Sequence, residues 1–482
     1  MTHPGEITRR QLLRRIGLTA LVAGPGAGLL SACATGAAEK PSAAPSAAAT
    51  ASGLVSATNP FGVDAKKPLE VVIFSGGFGD AYAKEVHEAL YTKAFAGVSV
   101  KHVATQQIGT QLRPRLVSGD VPDVINNSGP EALDLAALAA EGHLADLTPL
   151  FDAPSIDDPG KKIRDIVTPG VLENAKIDGK DLVLNYNVSH RGLWYDAKLF
   201  QAKGWMVPKT WDEFKALGEE AKKEGIALFA YPGQVGPYYQ TWNLLYTAAK
   251  IGGNQVLIDI DNLVDNAWKA DAIRKSVDAW VEIQTKYGDK SYFGLDHTQT
   301  QIKHLQHKVL FYPTGSWLEN EMVKDKPKDF EYALAPVPEV TGMDRMPYGA
   351  IMIGVGENFV VGAKGKNPQG GLEYLRIMLS KEGARGFTER TKNLTVVNGA
   401  AEGLELPPGM VSAAKLQDAV GTNVITDARY EGWYKELFDY SNTQVNAVMA
   451  GRINTDEFIE NVQKKADEVK ADSSVSKQTR NA

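Results

Sequence analysis

The chain has 482 residues, 43% of them apolar and 23% charged, a composition of a soluble globular protein rather than a disordered or membrane one. Its formal charge is −6, and no Lys/Arg run occurs beyond the N-terminal leader, so the basic stripe that nucleic-acid binders carry is missing. The length exceeds one hydrophobic core and predicts two lobes, and the single cysteine, Cys33, excludes a disulfide within the chain.

Arg9, Arg10, Arg14 and Arg15 precede an apolar stretch from Ile16 to Leu30 that is too short and too Gly-rich to span a bilayer. Thr8 to Arg14 (TRRQLLR) resembles a twin-arginine export signal. Leu30-Ser31-Ala32-Cys33 resembles a bacterial lipobox, which implies cleavage after Ala32 and a diacylglyceryl group on Cys33. Each buried methylene contributes about 0.8 kcal/mol and stable anchoring takes more than one acyl chain, which a diacyl group supplies. Residues 33–60 are rich in Ala, Ser and Pro and predict a flexible tether, with the folded part beginning near Asn59.

Leu69 to Phe74 (LEVVIF) predicts a strand closed by the loop Ser75-Gly76-Gly77-Phe78-Gly79, then a helix with Tyr82, Val86, Ala89 and Leu90 on one face. Val98 to Val103 predicts the next strand, completing a β-α-β unit and implying a parallel sheet. A helix around Ile108 to Leu116, a strand at Asp123 to Ile125 and a helix from Pro130 to Ala140 follow. Trp211 to Glu224 predicts an amphipathic helix with Phe214 and Leu217 inward, in a second lobe that starts near Ser189. The alternation continues, so the fold class is α/β with open sheets and a cleft between lobes.

Gly119-Asp120-Val121-Pro122-Asp123-Val124, Leu144 to Pro149 (LADLTP), Ile177 to Lys180 (IDGK), Leu193 to Asp196 (LWYD), Pro208 to Phe214 (PKTWDEF) and Phe311 to Trp317 (FYPTGSW) occur in the order and spacing of one family. They resemble the solute-binding proteins of carbohydrate ABC importers, and Asn59 to Val63 (NPFGV) with the overall layout is similar to the N-acetylglucosamine/diacetylchitobiose-binding lipoproteins. The resemblance implies a two-lobed periplasmic-binding-protein-like fold with three hinge crossings, here near Asn185 to His190, Ala335 to Glu339 and Thr395 to Gly399. The implied N-terminal lobe comprises 64–188 and 339–396, the C-terminal lobe 189–338 and 397–470, and 471–482 is a polar tail. A monomer on the outer face of the cell membrane, without cofactor or metal, delivering a sugar to permease subunits, is the implied function.

A sugar is already hydrogen-bonded by water, so each protein hydrogen bond returns only about 0.5–1.5 kcal/mol. Micromolar affinity, about 8 kcal/mol, therefore needs aromatic faces as well as polar contacts. The resemblance points to Tyr238 (with its neighbour Tyr239), Trp317 and Trp433 for the aromatic faces, and to Asn127 after the strand at Asp123. Ser75 and Phe78 in the glycine loop, Asn187 and His190 at the first crossing, and Tyr348 at the return to the first lobe are further candidates. Trp242 reads as core, with Leu245 and Ala249 on the same helix pattern; Trp205, Trp268 and Trp280 read as core or lobe surface.

Enzymatic and metal readings are weaker. Gly77-Phe78-Gly79 lacks a third glycine or a GK[ST] for nucleotide binding. His304-Leu305-Gln306-His307, near His297, is flanked by Lys303 and Lys308 and reads as a polar helix face rather than a zinc site. Asp259, Asp261 and Asp265 lack the glycine and glutamate of a calcium loop and read as a surface loop. A glycoside hydrolase needs two carboxylates across a cleft; Asp120 and Asp123 are close in sequence, but Asp123 reads as structural. A lipoprotein for a non-sugar solute is the other alternative.

Overall fold

In a computed structural model, residues 54–168, 171–420 and 423–480 are described. The leader motifs, Cys33 and most of the expected tether lie outside the described residues. The strands are β1 (Leu69–Phe74), β2 (Val100–Thr105), β3 (Val124–Asn126), β4 (Lys176–Ile177), β5 (Lys180–Asp181), β6 (Leu184–Asp196), β7 (Ala227–Phe229), β8 (Val309–Thr314), β9 (Tyr332–Ala335), β10 (Met352–Val361) and β11 (Ile425–Thr426).

β1 alternates its apolar side chains between two packed faces. Val71 and Ile73 join Phe359, Val361, Tyr374 and Phe387 on one side, while Val72 joins Leu112, Ile125 and Val360 on the other. It pairs in parallel with β2 and β3, as the β-α-β reading requires. Asp123 is 2% exposed and structural: one carboxylate oxygen accepts from the Glu70 amide at 2.9 Å, the other from the Asn367 amide at 2.6 Å.

The second core is built around Leu193, Leu245, Trp280, Phe311 and Ile425. Thr210 caps the Trp211–Lys223 helix by accepting from the Glu213 amide, and the Glu213 carboxylate accepts from the Thr210 amide in return, a reciprocal cap legible in PKTWDEF. The helix buries Trp211, Phe214 and Leu217, and Trp211 meets Trp280 edge to face at 5.1 Å.

The sheet order is β2-β1-β3-β10-β6-β8-β7, with β9 added on β6 and β11 on β10. The long strand β6 carries the chain from one core to the other: Leu184 and Tyr186 belong to the first and Leu193 to the second. Its antiparallel partner β10 makes the return, with Met352 in the second core and Phe359 in the first. The crossing expected at Ala335 to Glu339 is displaced, because Ala335 and Val337 pack in the second core with Ala350 and Met352. Val397 and Ala400 still pack in the first core, so the last crossing follows Ala400 instead of falling at Thr395 to Gly399.

The last described residues are docked. After the Thr455–Ala471 helix, the Gln478 amide donates to the Tyr434 hydroxyl at 2.9 Å, and Arg480, 5% exposed, pairs with Asp261 at 2.6 Å. Asp261 therefore departs from the surface-loop reading: it ends the Gln255–Asp261 helix, is wholly buried, and accepts from the Arg429 and Tyr430 amides at 2.7 and 2.8 Å. His304 and His307 depart from the polar-face reading as well. His304 is buried beside Tyr312 and Phe330, with burial pushing its pKa down to about 3, and His307 binds Asp196 at 2.8 Å. Asp261 and His304 thus serve packing, whereas Asp265 is exposed and pairs with Lys470 at 2.7 Å; no cluster of three metal-ligating side chains occurs among the described residues.

Candidate functional site

A cavity of about 630 Å³ lies where the two cores adjoin. One wall is supplied by the loops after β1 and β3, the other by the start of the Tyr238–Gly252 helix, by Trp317 and by residues between Glu431 and Thr443; β6 and β10 run between them.

The second wall is aromatic. Pro237 precedes the first turn of its helix, and Tyr238 and Trp242, four residues apart, share a face. Their ring centroids are 4.8 Å apart, Tyr238 and Tyr239 are 4.5 Å apart, and Trp317 stands 6.0 Å from Tyr239 and 6.1 Å from Trp242. The Trp317 indole N–H donates to the Tyr239 hydroxyl at 3.4 Å. Trp317 also reaches the glycine loop: a β-carbon on Gly77 would lie 3.2 Å from its ring, and the Asn320 side chain donates to the Gly77 carbonyl at 2.5 Å. A side chain at position 77 would push these two walls apart.

β6 supplies polar groups at period two. Asn187, Ser189 and Arg191 line the cavity, and β10 answers with Gly356 and Gly354 directly opposite Asn187 and Ser189, leaving that row uncovered. Asn187 Oδ1 and Ser189 Oγ are buried with no hydrogen-bond partner, an expensive condition unless a ligand or water completes them. The Arg191 guanidinium lies 3.6 Å over the Trp242 ring and pairs with Asp427 at 2.5 Å. Gly354 makes room for that pair, since a β-carbon there would fall 2.0 Å from an Asp427 oxygen.

Of the carboxyl groups that line the cavity, Glu321, Glu357 and Glu431 are pushed above the ordinary range by burial. Burial pushes Glu357 up to about 7, against hydrogen bonds from Asn126 (2.6 Å) and Ser128 that favour its ionised form. Burial likewise pushes Glu431 up to about 7, with Arg191 and a 2.9 Å hydrogen bond from the Trp242 indole N–H opposing it. Glu321 is raised by burial, opposed by His297 at 3.5 Å and by the Gln301 amide at 2.7 Å.

Because the pKa of Glu357 rises from 4.5 when unfolded to about 7 when folded, the native state holds the extra proton between those values. Stability therefore falls as pH rises through that window. Against Glu357→Gln, the wild-type chain is expected to lose on the order of 2 kcal/mol between pH 4.5 and 8, read as a widening gap in denaturant midpoints. A gap that does not change with pH would show a carboxyl group of ordinary acidity.

Of the residues expected from sequence, Phe78, Asn127, Asn187, Tyr238, Tyr239 and Trp317 line this cavity. Phe78 is mostly buried against Phe387, at 5.5 Å. The polar atoms of Asn127 are both engaged by Leu133, its Oδ1 accepting from the amide at 2.8 Å and its Nδ2 donating to the carbonyl at 2.9 Å. This clamp keeps 130–133 as a loop, so the helix expected from Pro130 begins only at Leu135.

Ser75, His190, Tyr348 and Trp433 do not line the cavity. The Ser75 backbone is held by Thr105 and Gln106 while the glycines after it face the space. His190 has the wrong parity on β6; it is wholly buried and bonds Gln417 at 2.5 Å. The Tyr348 ring sits 5.3 Å from the Lys250 ammonium, and its carbonyl accepts from that ammonium at 2.8 Å. Trp433, 6% exposed, packs in the second core, because two residues along the short helical turn Tyr430–Trp433 place it opposite Glu431. Trp242, read as core, is half-buried at the cavity wall.

Arg191, Ser189, Glu321, Glu357 and Glu431 escaped the sequence reading. A signal for the first two was present: in Asn185-Tyr186-Asn187-Val188-Ser189-His190-Arg191, polar residues alternate with larger apolar or ring-bearing ones.

The chain matches the family described as bacterial extracellular solute-binding protein over residues 89–418. It is 35% identical over 435 residues to the diacetylchitobiose binding protein NgcE of Streptomyces coelicolor, covering 88% of this chain and 90% of that one. It is 26% identical over 322 residues to the multiple sugar-binding protein of Streptococcus mutans, covering 64% of this chain and 71% of that one. Among solved structures, a chitin oligosaccharide binding protein superposes with a TM-score of 0.67 at 18% identity, covering 83% of this chain and 98% of its own. Apo RafE from Streptococcus pneumoniae superposes with 0.63 at 20% identity, covering 82% and 96%. Both likenesses establish a shared two-lobed α/β fold.

Proposed function

This chain belongs to the bacterial extracellular solute-binding protein family, and from that premise we propose that it binds a short N-acetylglucosamine-type oligosaccharide, such as diacetylchitobiose, and delivers it to an ABC importer. The observation that carries the reading is the pairing of a four-ring aromatic wall with an uncovered polar row across one cavity. A pyranose ring has the complementary surfaces: apolar C–H faces for stacking on Tyr239, Trp242 and Trp317, and hydroxyl or acetamide edges for Asn187 and Ser189. The relation to a diacetylchitobiose binding protein supports the choice of sugar.

In this proposal the lobes form around the two cores, and they close by rotation about the crossings in β6, in β10 and after Ala400. The site acts by binding alone. The buried cavity carboxyl groups of Glu431, Glu321 and Glu357 accept hydrogen bonds from Trp242, Gln301 and Asn126. Calorimetry tests the reading: diacetylchitobiose is expected to release heat on mixing and to be recovered unchanged. Recovery of monosaccharide would establish a hydrolase instead, and absence of heat with any sugar would favour a non-sugar solute.

The protein is further proposed to be anchored outside the cell by a diacylglyceryl group on Cys33. Expressed with its leader, the wild-type chain is expected in the membrane fraction, and the Cys33→Ala chain is not. Equal membrane association of both chains would remove the anchor.

A further inference from the structure

Glu357 is a buried cavity carboxylate whose surroundings contain no cation. It forms no ion pair among the described residues, and the groups that favour its charge are the neutral side chains of Asn126 and Ser128. Its backbone is also unusual: φ is +50° within β10, between the register pairs Gly356–Asn187 and Asn358–Asn185. A residue with a β-carbon held there costs about 1 kcal/mol or more and is found where surrounding structure imposes it, often at ligand sites.

A second observation is independent of that carboxylate. Asn187, 1% exposed, lines the same cavity with Oδ1 unpartnered. It sits beside the residue preceding Glu357, since a β-carbon on Gly356 would lie 2.9 Å from that oxygen. Two acceptors thus line this stretch of cavity wall: Glu357, which accepts from the neutral Asn126 and Ser128 side chains, and Asn187 Oδ1, which has no donor. The nearby cations are engaged elsewhere: Arg191 by Asp427 and the Trp242 ring, Lys435 by Asp439 at 2.9 Å.

An acetamido group brings a single N–H donor and no charge, so it can serve only one of these two acceptors. A primary ammonium brings three donors and a positive charge. We propose that the cavity accepts glucosamine oligosaccharides in which at least one amine is free, the ammonium docking on Glu357 and Asn187 Oδ1. The inference rests on the reading of this cavity as a sugar site and extends it to cationic amino sugars.

The test is calorimetry at neutral pH with three disaccharides, fully acetylated, half-acetylated and fully deacetylated, on the wild-type chain and on Glu357→Gln. The half-acetylated sugar is expected to bind the wild-type chain, to lose about thirtyfold or more in affinity with Glu357→Gln, and to weaken with added salt. The acetylated sugar should change little with either. Binding of the acetylated sugar alone, or equal losses for both sugars in Glu357→Gln, overturns the inference and leaves the sugar reading standing. Binding of none of the three overturns both.

Discussion

Replacing Trp317 by alanine is expected to abolish the rise in melting temperature that a bound oligosaccharide produces. The wild-type shift follows from mass action, about 2.7 kcal/mol of added stability at a ligand concentration one hundred times the Kd. Trp317 stands within 6.1 Å of both Tyr239 and Trp242 and abuts the glycine loop at Gly77, so it joins the two walls of the cavity. Truncating a central aromatic anchor costs about 2–4 kcal/mol of binding, enough to consume that margin. The indole is half-buried, so the apo protein should lose less than the 3–5 kcal/mol typical of a fully buried tryptophan. Trp317→Phe, which keeps a flat ring, should retain part of the shift. A full ligand-induced shift in Trp317→Ala would move the sugar away from this wall.

Arg480→Ala is expected to destabilise the protein by about 3–5 kcal/mol. Asp261 is wholly buried, and Arg480 is its only ion-pair partner among the described residues, at 2.6 Å. The same guanidinium donates to the Asp427 carbonyl at 3.0 Å and to the Thr426 hydroxyl, while the Arg480 amide donates to Asn262 at 2.6 Å. Removing it strands the carboxylate against two backbone amides. Asp261→Asn should recover much of the loss when added to Arg480→Ala, since the penalty is the uncompensated charge and not the missing contact. Denaturant unfolding of the four chains reads this directly. An Arg480→Ala midpoint indistinguishable from wild type would mean that water reaches Asp261 freely. Asp427, whose carbonyl Arg480 holds, also pairs with Arg191 over the Trp242 ring, so Arg480 braces the cavity from behind.

Local rules explain what was legible in advance. The β1 run, the β-α-β unit and the amphipathic helix from Trp211 depend on neighbours in sequence, and they appear where expected. Tyr238, Tyr239 and Trp317 were found through motifs whose order along the chain marks the family, and they converge on one cavity. Trp433 shows the limit of that route: a tryptophan in the right region faces the core, while Glu431, two residues earlier, meets the cavity. His190 fails for the same reason on a strand, where parity assigns the cavity to Asn187, Ser189 and Arg191. The Asp261 error has a longer range, because its partner lies 219 residues away.

By itself, then, the sequence determined the α/β class, the family, the amphipathic faces of single elements and the aromatic character of one cavity wall. These follow from periodicity, turn chemistry and motif order, which act over a few residues at a time. Only the tertiary structure decided which side of β6 meets the cavity, that Glu357 stands there without a counter-charge, and that Arg480 closes the second core. Each of these is set by packing between segments far apart in the chain, where burial fixes the orientation of a side chain and the cost of its charge.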